Sequence, residues 1–382
     1  MKIGAVVTDL TRAHYVQLDG LRGLAILMVM VYHFCLTLPG FQESAVPAPL
    51  QLAQAGWMGV DLFFVLSGFL ITNILIETRS TQHYFRNFIA RRTLRIWPLY
   101  YVSLLVLLVL LPLATHQVPD TLRSMQDKQA WFWLYAANWL FALERGFGHT
   151  SGGYFWSLAV EEQFYLIWPL VVLLLSNRAL LRTSLCLLTL SLALRVVLVR
   201  AGVDTNSIYV MTLTHLDGLA VGSSLAVCLR DGLLSARVRR FVPLAAVVAF
   251  IGIVIARILD GEYFFWGKAT ASFGYSCIAV LFGTLLVYAL GGGRALGLNR
   301  FLTSRFMTKT GKYSYALYMV HVPIATAAES AITPILAPRL GTAPTFAVFA
   351  IAVFGLSWLT AVLSWHLFEK RVLALKRYFS YG

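Results

Sequence analysis

Arg22 and His33 stand eleven residues apart in the stretch LDGLRGLAILMVMVYHF. On an α-helix that spacing is about 16.5 Å along the axis, with the two side chains within about 20° of one face. A guanidinium near one end and an imidazole deep inside would share a stripe about as long as an extended pantetheine arm. An imidazole placed against a hydroxyl can act as its general base near neutrality. The second basic element is RNFIARRTLRIWP, residues 86–98, which carries Arg91, Arg92 and Arg95. Guanidinium binds phosphate oxygens in a bidentate fork, so this cluster suits a nucleotide phosphate. The same arginines also fit an ordinary positive loop beside a membrane helix.

Carboxylates and further histidines complete the set: Asp61, Glu161, Glu162, His215, Asp217 and His321. Glu161 and Glu162 would point about 100° apart on a helix, so only one of them is expected to face a shared cavity. The histidines and carboxylates show no metal-ligand spacing, and no metal is expected. Cys35, Cys186, Cys228 and Cys277 lie in or beside apolar runs without metal spacing and read as packing residues.

These groups are embedded in an apolar chain. Of its 382 residues, 59% are hydrophobic and 13% charged, with a mean hydropathy of +0.73. Soluble proteins carry about 25% charged residues. The composition excludes a disordered chain, a coiled coil and a nucleic-acid-binding domain, and it indicates an all-α, polytopic membrane helix bundle. Ten stretches are candidates to cross the hydrocarbon, at 21–40, 57–77, 96–114, 154–176, 183–200, 207–229, 241–258, 269–290, 312–333 and 344–368. If the N-terminus is cytoplasmic, 23 of the 31 Lys and Arg residues fall on the inner side, which places both termini in the cytoplasm. The net charge of +14 is therefore mostly topology. Residues 131–143, WFWLYAANWLFAL, are too short to cross and read as an interfacial or re-entrant helix. No repeat, linker or appended soluble domain is visible, so residues 1–382 read as a single membrane domain.

Ionisable groups in a bilayer cost several kcal/mol and usually mark a site. By helix rise, His33, Asp61, Glu161, His215 and His321 fall in one central-to-outer layer, which predicts a common cavity.

The segments LDGLRGLAILMVMVYHF (18–34), GWMGVDLFFVLSGFLI (56–71), FIARRTLRIWPLYY (88–101), YFWSLAVEEQFYLIWPL (154–170) and YSYALYMVHVP (313–323) resemble, in order, the successive motifs of the acyltransferase-3 family. Members are integral membrane proteins that O-acylate extracytoplasmic glycans and some small molecules. The resemblance implies that His33 is catalytic and that Arg22, Arg91, Arg92 and Arg95 handle an acyl-CoA donor. It implies that Asp61, Glu161 and Glu162 are intramembrane acids of the site, with Ser157, Tyr315, Tyr318 and His321 as substrate or support residues. In that expectation a carboxylate such as Asp61 or Glu162 fixes the His33 tautomer.

The expected activity is transfer of an acyl group, most simply acetyl, from cytoplasmic acyl-CoA to a hydroxyl of an extracytoplasmic glycan or lipid-linked glycan. An acyl-histidine intermediate and direct transfer both stay open. No permanently bound cofactor and no nucleic-acid partner is expected; the other partners are membrane lipids, and the setting is a bacterial inner membrane and its cell envelope. Two other readings remain: O-acylation of a small secondary metabolite, and a secondary transporter using midplane carboxylates and histidines.

Overall fold

A computed structural model describes residues 15–36, 53–115, 118–147, 151–261, 264–291 and 296–381. Backbone amides in hydrocarbon have no solvent partner, so apolar spans must satisfy their hydrogen bonds internally. The chain does so with helices throughout, and no strand occurs among the described residues. Nine helical segments among the described residues are long and apolar enough to cross a membrane. Those that build the site are α1 (Val16–Leu36), α2 (Gly59–Thr78), α3 (Tyr84–Leu105), α4 (Phe155–Leu174), α5 (Asn177–Arg200), α6 (Asp217–Arg230), α7 (Tyr275–Leu290) and α8 (Arg305–Leu340).

The predicted span at 207–229 is the one that differs. It is broken into Thr205–Val210, a short turn at Thr212–Thr214, and α6, whose 14 residues fall short of a full crossing. Irregular backbone inside a bundle needs protein partners. Here Asn138 Nδ2 donates to the Val210 carbonyl at 3.3 Å, Ser191 Oγ to Leu213 O at 2.7 Å, and Arg195 Nη1 to Thr214 O at 2.6 Å. Thr214 Oγ1 donates to Met211 O at 2.9 Å. The segment 131–143 does not cross; it forms the short helices Gln129–Trp133 and Ala137–Leu143, in agreement with its length.

Helices in lipid associate by close packing of small residues and by polar contacts. A Cβ on Gly23 would meet the Met307 carbonyl, and one on Gly311 the Asp19 carbonyl, so only glycine allows α1 and α8 to approach this closely. α6 lies against α2 by the same device at Gly68 and Gly222. Thr72 of α2 donates to Ser223 of α6 at 2.9 Å and accepts from Trp168 of α4 at 2.8 Å, which ties three helices together. The long helices Val242–Asp260 and Thr342–Ser364 lie at the periphery, with Leu244, Val248, Phe250, Ile351 and Leu359 exposed as a lipid-facing surface.

Candidate functional site at the junction of two cavities

The α1–α8 contact sets the central feature. It brings His321 Nε2 to 3.3 Å from His33 Nδ1, with the rings edge to face and their centroids 4.9 Å apart. Each imidazole also faces backbone carbonyls of its own helix. His33 Nδ1 lies 2.9 Å from Val29 O, and His321 Nδ1 lies 3.0 and 2.9 Å from Leu317 O and Tyr318 O. Carbonyls only accept, so both Nδ1 atoms carry the proton. The His321 Nε2 lone pair then faces the His33 Nδ1–H. His33 Nε2 is left as an open lone pair, with no partner among the described residues.

His33 lines a cavity of 370 Å³ walled by Tyr32, Trp57, Tyr154, Trp156, Tyr209, Phe265 and Trp266. A second cavity, of 110 Å³, lies on the Arg22 side. Arg22, Arg92, Arg95, Ser67, Ser157, Glu161 and Tyr315 line it. Val60 and Tyr318 belong to both linings and form the partition. Tyr318 donates to the Tyr154 carbonyl at 2.8 Å and accepts from Ser157 Oγ at 2.6 Å. Tyr315 is fixed by donation to Ile96 O at 2.6 Å. Arg22 and His33 do occupy one stripe of α1, each facing one of the two cavities.

Electrostatically the arginine cavity is unbalanced. Arg22 has Asp19 at 3.4 Å, and Arg95 lies over the Trp365 ring at 5.8 Å. Arg92 and Arg95 have neither a hydrogen bond nor an ion pair among the described residues. The grouping of Arg91 with these two needs correction. Its guanidinium turns away and donates to Lys376 O and Phe379 O, each at 3.2 Å, with the Tyr381 ring beneath it at 5.0 Å. Burial pushes the Tyr381 phenol up, against the opposing pull of Arg92 and Arg91.

The two glutamates separate as their angular offset requires. Glu161 faces the arginine cavity and accepts from Ser67 Oγ at 2.5 Å. Glu162 is buried against α3, accepts from Trp97 Nε1 at 2.9 Å and lines neither cavity. Asp61 is also corrected. Its Oδ1 lies 3.0 Å from His215 Nε2, both side chains fully buried, so neither Asp61 nor Glu162 orients His33. The partner of His33 is His321. The expected single polar layer is thus divided into two groups.

His215 sits inside a box of Phe64, Trp156, Tyr209 and Tyr275. Beside it Arg195 makes a two-pronged ion pair with Asp217, at 2.5 and 3.0 Å; Arg195 Nη2 also donates to Ser276 Oγ, which in turn donates to Asp217 Oδ1. Sequence reasoning missed Arg195, although an arginine in the interior of the apolar stretch 183–200, well before the Arg200 at its end, was a usable signal. It also missed the aromatic wall and Ser67, which no spacing marks. Among the described residues no three His, Cys, Asp or Glu side chains converge as a metal site would require. The four cysteines are unpaired: Cys35 is buried, Cys186 exposed, Cys228 and Cys277 half-buried.

A family model described as an acyltransferase domain matches residues 15–362. The peptidoglycan O-acetyltransferase OatA of Listeria monocytogenes is 28% identical over 338 residues, covering 84% of this chain and 50% of that protein. The O-acetyltransferase OatA of Staphylococcus aureus is 28% identical over 319 residues, covering 80% of this chain and 50% of that protein. The chain spans about half the length of these relatives. No solved structure matches it.

Proposed function

The chain is a member of this acyltransferase family, an integral membrane protein of bacterial type, and from that premise we propose that it is an O-acetyltransferase acting on a cell-wall glycan, with acetyl-CoA as donor. The observation that carries the reading is the open Nε2 of His33, in a cavity that shares the Tyr318–Val60 partition with an arginine-lined chamber. In this reading the arginine side is cytoplasmic, as the distribution of basic residues requires, and the histidine cavity receives the acceptor from the other side. The names of the relatives favour peptidoglycan as that acceptor.

Arg92, Arg95 and Arg22 meet the donor's phosphates as charge-assisted hydrogen-bond donors. The thioester passes the Tyr318–Val60 partition toward His33. A sugar hydroxyl is a weak acid and needs a base within hydrogen-bond reach. His33 Nε2 takes its proton while the oxygen attacks the thioester carbonyl. A C–O bond forms, the C–S bond breaks, and the thiolate leaves with the proton returned by the imidazolium. His321 acts as a positioning residue: its lone pair faces His33 Nδ1–H and stabilises the imidazolium, the part a carboxylate plays in hydrolytic triads.

The test is incubation of the purified chain, in lipid nanodiscs, with radiolabelled acetyl-CoA and muropeptide oligomers. Label is expected on the glycan as a base-labile ester. CoA binding without any label on a carbohydrate would remove the acceptor assignment.

A further inference from the structure

The helix that supplies Arg92 and Arg95 to the arginine cavity, α3, also holds a part of the chain that none of the matched motifs includes. After the turn Leu375–Phe379 the backbone is held against α3 by three hydrogen bonds. Asn87 Nδ2 donates to Ser380 O at 2.5 Å, and Arg91 Nη1 donates to Lys376 O and to Phe379 O, each at 3.2 Å. The Tyr381 ring completes the clasp under the Arg91 guanidinium. The segment 375–381 is thereby a strap beside the arginines, and Arg91 is its principal anchor.

The strap carries Lys376 into a group of like charges. Lys376 is half-buried and lies within electrostatic reach of Arg92, Arg95, Arg91 and Arg22. It has neither an ion pair nor a side-chain hydrogen bond among the described residues. The acids near this cluster are Asp19, 3.4 Å from Arg22, Glu161, bound to Ser67, Glu162, bound to Trp97, and Glu369, which accepts from Ser364 at 3.0 Å. Five cations are set against four carboxylates, and among the described residues only Arg22 has an ion pair with one of them. Gathering unpaired cations out of water is costly unless an anion joins them. The anion class that fits is a phosphate or diphosphate ester.

We propose that Lys376 is a further donor-binding residue, delivered to the phosphates of acetyl-CoA by the 375–381 strap. Arg91 is then a positioning residue for that strap and not itself a phosphate ligand. This rests on the acetyl-CoA reading above. It explains why three arginines so close in sequence divide, two lining the cavity and the third turned to backbone carbonyls.

The experiment measures CoA affinity and acetyl-transfer kinetics of the full chain in nanodiscs. Lys376→Ala is expected to weaken CoA binding roughly tenfold, the loss of one charge-assisted contact, with the change in KM for acetyl-CoA larger than that in kcat. Lys376→Arg is expected to restore binding to within about threefold. Arg91→Ala should weaken binding as well, and the double variant should be no weaker than Lys376→Ala alone, because both act through one contact. Multiplying effects would make Arg91 an independent phosphate ligand and overturn its positioning role.

If the wild-type chain binds CoA and Lys376→Ala binds it equally well, Lys376 has no part in donor recognition. If the wild-type chain binds no CoA, the donor reading falls and takes this inference with it. Phosphate could also come from a lipid headgroup, so the series is run in neutral phosphatidylcholine discs and in discs containing phosphatidylglycerol. The Lys376→Ala defect must persist in the neutral discs; a defect confined to the anionic discs would assign Lys376 to lipid and overturn the proposal.

Discussion

Two histidines inside the same bundle, His33 and His215, have opposite surroundings. His33 touches another imidazole and the cavity in front of it, which Tyr318 and Val60 divide from the arginine chamber. His215 touches a carboxylate, is fully buried, and is walled in by four aromatic rings. The Asp–His pair is the combination that hydrolytic triads have made familiar, yet it lines neither of the two cavities. The lesson concerns intramembrane polar groups generally. Such a group marks a place where the bundle needs polarity, and the need can be chemical or architectural. Around His215 the contacts are those of architecture: Arg195 donates to Thr214 O within the break between Val210 and Asp217, Asp217 and Ser276 hold Arg195 in turn, and Asp61 holds His215.

The contrast can be broken or sharpened by substitution. Arg195→Met should have the largest effect, because it leaves Asp217 buried without its cation. Removing one member of a buried ion pair costs about 3–5 kcal/mol. The expected outcome, read by thermal unfolding of detergent-solubilised protein, is a large fall in melting temperature or loss of folded protein. Folded Arg195→Met with an unchanged melting temperature would deny the architectural role. Asp61→Asn removes the charge but keeps an acceptor toward His215, and should cost roughly 1–3 kcal/mol of stability. Acetyl transfer by the surviving folded protein, assayed well below its melting temperature, should stay within about threefold of wild type. A loss of a hundredfold or more at full stability would move Asp61 into the reaction.

On the reacting side, His321→Gln should lower kcat about tenfold, or ~1.4 kcal/mol of transition-state stabilisation, with the KM for acetyl-CoA little changed. An effect confined to KM would make His321 a donor-binding residue. The smallest effect separates the glutamates. Glu161 lies within electrostatic reach of Arg92, so Glu161→Gln leaves the arginine cavity more positive. The KM for acetyl-CoA should then fall about twofold, a scale typical of partly screened charges. Glu162→Gln, which keeps an oxygen for Trp97, should change neither parameter; a kcat loss on Glu162→Gln alone would reverse the two assignments.

Much of this was legible in the residues. The helical membrane architecture followed from hydropathy, and among the described residues nine of the ten expected spans coincide with helices long and apolar enough to cross. The tenth was misread because a hydropathy window averages across Met211 to Leu216, where Thr212, Thr214 and His215 interrupt an apolar run without lowering its mean enough. The Arg22–His33 stripe was readable because helical geometry alone decides it. Which partner each buried acid takes was not readable. Asp61 and His33 were expected in one central-to-outer layer, but depth says nothing about which helices are neighbours, and it is the α2–α6 glycine contact that gives Asp61 to His215. Arg91 was grouped with Arg92 and Arg95 on spacing, and its true partner lies 285 residues further along the chain.

The most direct test compares His33→Gln with His215→Gln in one single-turnover acetyl-transfer assay, each variant first shown to bind CoA and to be folded at the assay temperature. His33→Gln is expected to lose roughly 10²- to 10⁴-fold in rate, the contribution of a positioned general base, with CoA affinity retained. His215→Gln is expected to transfer at a rate within a few-fold of wild type and to unfold at a lower temperature. Near-normal transfer by His33→Gln, with the large loss falling on His215→Gln, would contradict the assignment and place the reaction at the enclosed histidine.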